Sequence, residues 1–347
     1  MSRRLPAFFD ACNDVDRATG LRYFEERHVR PGQVLFAEGQ PAEALLCVLE
    51  GELEVRSGEV VLAVVGPGDL VGEMALFERS LRTASVRARS DAVVLVLDRE
   101  GYERLRDVMH PLGVALEQTA LNLQIERMRA LGDRIARLAE GTPWRQGRPT
   151  ARFLARLREA FGVGGAIAAQ IHPIATLAQS PIFKGAPVAA LKALAPAFGV
   201  MGYSAGHLLC TEGEMGSEMF LLAEGEVDVV VATEADRVQH LATLEPGAAF
   251  GMVSLAQDRP RMATCVARTA VAVLVLERPN WDALLAEPHI TGSAFRRALL
   301  KGMSEQISFT NHQLAAFESD REEPDLLRAG AGVDTHGGWM GRVRGPE

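Results

Sequence analysis

The sequence predicts a mainly β fold with flanking helices (α+β): two tandem antiparallel β jelly-roll barrels, each with an N-terminal and a C-terminal helix. Three observations predict it. The chain repeats itself, its apolar runs are short and cut by Gly, Pro or Asp, and an amphipathic helical stretch follows each set of runs.

The repeat sets the domain count. Phe9 matches Phe183, Gly32 matches Gly206 and Glu50-Gly51-Glu52 matches Glu224-Gly225-Glu226, an offset of 174. Further on, Pro67 matches Pro246, Gly72 matches Gly251, Arg82 matches Arg261 and Val94-Leu95-Val96-Leu97 matches Val273-Leu274-Val275-Leu276, an offset of 179. One five-residue insertion near 232–237 (ATEADR) accounts for the change, and it falls in a hairpin loop, where added length is tolerated. So long a period means two copies of a domain, not a solenoid. The boundaries read as 1–140 for the first domain with its C-terminal helix and 141–180 for a helical, Arg-rich linker. The second domain and its helix then span 181–317, and 318–347 reads as a disordered tail.

In the first copy, GQVLFAEG, ALLCVLEGELEVRSG, VVLAVVGPGD, TASVRARS and AVVLVLD read as strands. Gly51, between two of these runs, fits a tight turn with positive φ, as does Gly225 in the second copy. About eight short strands at this spacing make an antiparallel barrel or jelly roll. After Asp98, Val114, Leu121, Met128 and Ile135 recur every seven residues, with Ile125 and Leu138 beside them. Residues 112–139 are therefore expected to form a helix whose seam either packs on its own barrel or joins a second copy in a homodimer. Phe295, Leu299, Met303, Gln306 and Leu314 mark a second helix. Arg127–Arg158 carries nine arginines, and Thr150–Phe161 has an apolar face; the segment reads as a solvated helical linker or as a docking surface for an acidic partner.

Composition narrows the function classes. With 347 residues, 48% hydrophobic, a sizeable core is available, and a net charge of -8 argues against general nucleic-acid binding. No apolar run approaches the roughly 20 residues that span a bilayer, and the N-terminus lacks a signal-peptide core, so no membrane partner and a cytoplasmic location are expected. Cys12, Cys47, Cys210 and Cys265 show no CxxC spacing and read as buried free thiols. No HExxH, GxSxG or Walker loop occurs, so neither catalysis nor a metal is expected.

Two stretches carry chemistry. GEMALFERSLRTASV (72–86) and GMVSLAQDRPRMATC (251–265) align glycine on glycine, arginine on arginine and alanine on alanine (Ala84, Ala263). The pattern G-E-hydrophobic-A-L, a short loop, then R-T-A-S-V resembles the phosphate-binding cassette of the cyclic nucleotide-binding domains. That family includes the catabolite activator regulators, the protein kinase A regulatory subunits and the cyclic-nucleotide-gated channels. The resemblance covers roughly 7–135 and 181–315.

A cyclic phosphodiester carries one permanent negative charge, and Arg82 can match it with geometry suited to phosphate oxygens. A ribose 2′-hydroxyl needs an acceptor, and Glu73 can be one, so that a 2′-deoxy ligand leaves the carboxylate without its partner. Gly72 makes the turn and Met74 completes the start of a short helix over Glu73–Phe77. The resemblance implies a backbone contact from Ala75 and a contact to phosphate or base from Thr83, which suits cAMP and cGMP alike. A surface ion pair is the other reading of Glu73 and Arg82. In the second copy Arg261 is retained, Ser254 stands where Ala75 does, and Met252 replaces the glutamate. A thioether is a poor acceptor, so this copy reads as a weak site, an empty pseudo-site or a site for another anion.

The resemblance implies a non-catalytic cAMP/cGMP sensor. Ligand in the first domain would reorient the following helix, where Leu121, Leu123, Arg127 and Met128 are candidates to cap the base, and so move the second domain to control an unidentified protein partner. The alternatives are a scaffold or accessory subunit with vestigial pockets, or a transcription regulator. The latter is disfavoured because no helix-turn-helix is recognisable, so no DNA partner is expected. An inhibitory kinase subunit matches the tandem arrangement, but Arg3-Arg4-Leu5-Pro6 carries proline where a phosphoacceptor or its mimic belongs.

Overall fold

Strand-forming runs in the first copy become eight strands in the computed structural model, which describes residues 5–58, 60–77, 81–139, 150–232 and 238–304. These strands are β1 (Glu25–Val29), β2 (Val34–Phe36), β3 (Ala44–Glu50), β4 (Leu53–Ser57), β5 (Val60–Val65), β6 (Leu70–Val71), β7 (Ser85–Ala88) and β8 (Ala92–Asp98). They form two antiparallel sheets, ordered β1-β8-β3-β6 and β2-β7-β4-β5. Leu46, Val48, Val94 and Val96 from one sheet and Leu53, Val86 and Ala88 from the other meet in one core. The period of two places Leu45, Cys47, Leu95 and Leu97 on the opposite face, yet they too are buried. Helices cover that face, which is why β3 and β8 read as continuous apolar runs and not as alternating ones.

The expected barrels are not closed. Each copy is a pair of facing sheets, and among the described residues no ladder joins one sheet's edges to the other's. Edge strands such as β6 and β2 run only two and three residues, too short to carry hydrogen bonding across the seam.

The second copy repeats the arrangement and adds one short edge strand, Ala166–Ile167, to one sheet. Its strands are β9 (Ala166–Ile167), β10 (Gly199–Tyr203), β11 (Leu208–Cys210), β12 (Glu218–Glu224), β13 (Val227–Ala232), β14 (Val238–Leu244), β15 (Ala249–Phe250), β16 (Thr264–Ala267) and β17 (Val271–Glu277). Their orders are β15-β12-β17-β10-β9 and β11-β16-β13-β14. Register is conserved between copies: Ala44 stands opposite Asp98, and Glu218 opposite Glu277. The turn glycines behave as the sequence implies. Gly51 has φ +79°, and a Cβ there would lie 2.2 Å from the Asp91 carbonyl; Gly225, at φ +84°, stands 2.2 Å from the Ala270 carbonyl by the same measure.

The helices are α1 (Asp14–Leu21), α2 (Met74–Phe77), α3 (Arg99–Asp107), α4 (Pro111–Ala139), α5 (Ala151–Phe161), α6 (Pro173–Gln179), α7 (Val188–Leu194), α8 (Met252–Gln257) and α9 (Arg278–Ala286), with a further helical run at 290–304. Among the described residues no helix is long and apolar enough to cross a membrane. Two seam positions of α4, Leu121 and Met128, are buried within the chain itself, while the side chains of Ile135 and Leu138 lie outside the described residues. The 233–237 part of the insertion, Gln306, Leu314 and the 318–347 segment also lie outside them.

The described residues fall into two units, 5–122 with 288–301, and 123–287 with 302–304. In the first unit a carboxylate is fully buried. Glu117 accepts hydrogen bonds from the Tyr102 hydroxyl at 2.7 Å, the Ser293 hydroxyl at 2.5 Å and Arg296 Nε at 2.9 Å. Burial, followed by the Glu117 charge, holds the Tyr102 phenol well above its ordinary range. In the second unit, α5 is capped by the Thr150 hydroxyl, which accepts from Phe153 N, and it lays Phe153 and Leu157 on Val230 and Ala232. The apolar face of residues 151–161 is therefore packed on the β13 sheet, while the arginines Arg152, Arg156 and Arg158 stay exposed. Gly162–Gly165 leads into β9, which pairs with β10 through Ile167 opposite Gly202.

Candidate functional site

Both cassettes sit between the short strand that ends one sheet and the strand that begins the return (β6 to β7, β15 to β16). Gly72, at φ +78°, turns the chain after β6. A Cβ there would stand 2.6 Å from Arg82 Nη1 and 2.9 Å from the Phe36 ring, so only glycine leaves room for the guanidinium. The backbone of Arg82 is itself pinned. Its N–H donates to the Gln40 carbonyl and its own carbonyl accepts from Gly39 N, both at 2.8 Å.

The Arg82 side chain is held by one strong contact and one stack. Nη2 donates to the Ala44 carbonyl at 2.6 Å and Nη1 reaches the Gly72 carbonyl at 3.5 Å, while the guanidinium carbon lies 3.4 Å from the centroid of Phe36. Glu73 is only 1% exposed. Burial lowers the Arg82 pKa to about 10, against the opposing pull of Glu73 and Glu43; the group remains a cation at neutral pH. Glu73 is thus buried and Arg82 half-buried, near enough for the Glu73 charge to act on the guanidinium. Met74 and Ala75 lie in α2, and Thr83 is exposed beside Arg82. Of the candidate base caps, Leu121 and Met128 are buried and Arg127 is exposed.

The second cassette keeps the backbone frame and changes the side chains. Arg261 Nη2 donates to the Glu218 carbonyl at 2.6 Å and Nη1 to the Gly251 carbonyl at 2.7 Å, the equivalents of Ala44 and Gly72. Ser254 adds what Ala75 cannot. Its hydroxyl accepts from Arg261 Nη1 at 2.9 Å and donates to the Gly251 carbonyl at 3.2 Å. Arg261 is 6% exposed as a result, against the half-buried Arg82. Met252 is buried, and a cavity of about 100 Å³ opens between Arg261, Ser254, Met252, Phe250, Cys210 and Cys265.

Sequence reading missed Phe36. Its signal is weak, since a phenylalanine ending a strand reads as core. Only the pairing of β2 with β7 sets it beside Arg82. The Ala44 and Glu218 carbonyls leave no mark on residue type at all.

Facing antiparallel sheets that carry a glycine turn, a short helix and a buried or half-buried arginine recur in both copies. The cyclic nucleotide-binding domain family matches residues 26–108 and 200–287, and the chain carries two tandem copies of that domain. Over 264 residues it is 25% identical to a cGMP-dependent protein kinase of Caenorhabditis briggsae, covering 76% of this chain and 28% of the kinase. It is also 25% identical to a cAMP-dependent protein kinase regulatory subunit of Yarrowia lipolytica, covering 80% of this chain and 56% of that one. The chain thus spans about a quarter of the one relative's length and just over half of the other's. Among solved structures, the regulatory domain of Toxoplasma gondii PKA with cAMP matches with 19% identity and a TM-score of 0.34, covering 88% of this chain and 93% of that one.

Proposed function

We propose that the protein is a non-catalytic sensor whose first domain binds cAMP or cGMP. One observation carries the reading: a carboxylate that is 1% exposed, Glu73, shares an interior with a half-buried guanidinium, Arg82. A guanidinium and a carboxylate facing one interior supply the cation a cyclic phosphate needs and the acceptor a ribose hydroxyl needs. A cyclic phosphate meets Arg82 and a ribose hydroxyl meets Glu73, with Gly72, Met74, Ala75 and Thr83 framing the ligand.

The second domain serves as a degenerate copy. Arg261 is already engaged by two carbonyls and the Ser254 hydroxyl, and Met252 offers the ribose no good acceptor. Ligand in the first domain biases the helix that follows it and through it a protein partner, in a cytoplasmic setting consistent with four free cysteines. A homodimer through residues 112–139 belongs to the same reading. Calorimetry with cAMP and cGMP tests it on the wild type, Arg82→Ala and Arg261→Ala. One site is expected, lost in the first variant and retained in the second; no site on the wild type ends the proposal.

A further inference from the structure

The two domains also differ in one cross-strand pair beside the cassette. In the first domain Phe36 stands opposite Val86 across β2 and β7. At the equivalent positions of the second domain, Cys210 stands opposite Cys265 across β11 and β16, beside a register shift that follows Leu208. Directly opposed residues of an antiparallel pair hold their Cα atoms about 4.5–5.5 Å apart. A disulfide takes Cα separations of about 4.4–6.8 Å, so this pair can be bridged without moving the strands. The Cys210 thiol donates to the Ala263 carbonyl at 3.9 Å, and the two cysteines are unbridged. Both line the cavity of about 100 Å³ that Arg261 closes, ample for a solute the size of a few waters.

We propose that Cys210 and Cys265 are a reversible modification site, a dithiol in the second domain's pocket that hydrogen peroxide converts to an intradomain disulfide. The neighbouring Cys265 thiol, then the Arg261 charge, lower the Cys210 pKa against its burial, and the first attack is assigned to Cys210. Cys265 is held well above the ordinary thiol range by the neighbouring Cys210 and by burial. The Cys210 thiolate attacks one peroxide oxygen, the O–O bond breaks, and hydroxide leaves to be protonated to water. Cys265 sulfur then attacks the sulfenic sulfur of Cys210. The S–S bond forms, and the displaced hydroxide takes the Cys265 proton to leave as a second water. Two thiols and one peroxide thus give one disulfide and two waters, and a dithiol reductant reverses the change. Cys12 and Cys47 stand apart in sequence, and burial raises both their pKa values.

This inference does not rest on nucleotide binding. The test treats the reduced full-length chain with hydrogen peroxide under native conditions, alkylates remaining thiols and maps peptides by mass spectrometry. The expected result is a cross-linked Cys210–Cys265 peptide, loss of two hydrogens from the intact mass, and full alkylation of Cys12 and Cys47. Cys12→Ser/Cys47→Ser retains the cross-link. Cys265→Ser halts at a Cys210 sulfenic acid that dimedone captures. The proposal is overturned if Cys210 and Cys265 remain alkylatable in the wild type, if they cross-link only in denaturant, or if the disulfide forms between chains.

Discussion

The Arg82 guanidinium stacks on the Phe36 ring, its central carbon 3.4 Å from the ring centroid. That stack, with one strong bond to the Ala44 carbonyl, orients the cation expected to meet a phosphate. In the second domain Cys210 replaces the ring, and Arg261 is held instead by the Ser254 hydroxyl.

Phe36→Ala removes the stack while leaving Arg82 charged. A cation–π contact contributes about 0.5–2 kcal/mol, so calorimetry is expected to show cyclic-nucleotide affinity falling roughly 2- to 30-fold. Phe36→Leu, which keeps apolar bulk but no π face, should fall nearly as far.

Ribose discrimination should reside in Glu73. Wild type is expected to bind a 2′-deoxy cyclic nucleotide roughly 10- to 150-fold more weakly than its ribo counterpart, the range for a hydrogen bond to a charged group. Glu73→Ala should bind both equally. Competition binding reads the double-mutant cycle, and retained discrimination in the variant would assign the carboxylate a purely structural role.

Affinity should depend on pH from one side only. Burial holds Arg82 near a pKa of about 10, below its unfolded value, so its charge is lost on raising pH and not on lowering it. A bound anion favours the cation, so binding takes up a proton where the group is part-titrated. Affinity is expected to be flat from about pH 6 to 8 and to fall as pH rises through about 10, read by fluorescence titration.

Breaking the buried Glu117–Arg296 pair should destabilise the first unit. Both residues are nearly inaccessible, and Glu117→Ala leaves a buried cation without its carboxylate, a loss of about 3–5 kcal/mol in urea unfolding. Adding Arg296→Met should recover most of it, because an apolar side chain of similar length replaces the stranded charge.

The α5 helix offers a contrast of faces. Phe153→Ala is expected to cost about 3–5 kcal/mol, since the ring is fully buried on Val230 and Ala232. Arg152→Ala, on the exposed face, should stay within about 0.5 kcal/mol in the same assay.

Duplication, strand positions and the two cassettes were legible in the amino-acid sequence alone, because each is written locally: turn glycines, β-branched runs and a G-E…R-T pattern need no distant partner. Glu73 and Arg82 could be chosen as a pair for that reason, and so could the loss of the glutamate at Met252. Tertiary structure alone decided what stands across from what. Phe36 meets Arg82, and Cys210 meets Cys265, only through the ladders that join residues some fifty positions apart, and a ladder's register leaves no trace in either strand by itself. The same holds for the amphipathic segments. The apolar face of Thr150–Phe161 and the run Phe295, Leu299 and Met303 are visible in the sequence, but which sheet or helix covers them is not. Burial does not depend on direction or partner, so only the assembled chain assigns α5 to β13 and Arg296 to Glu117.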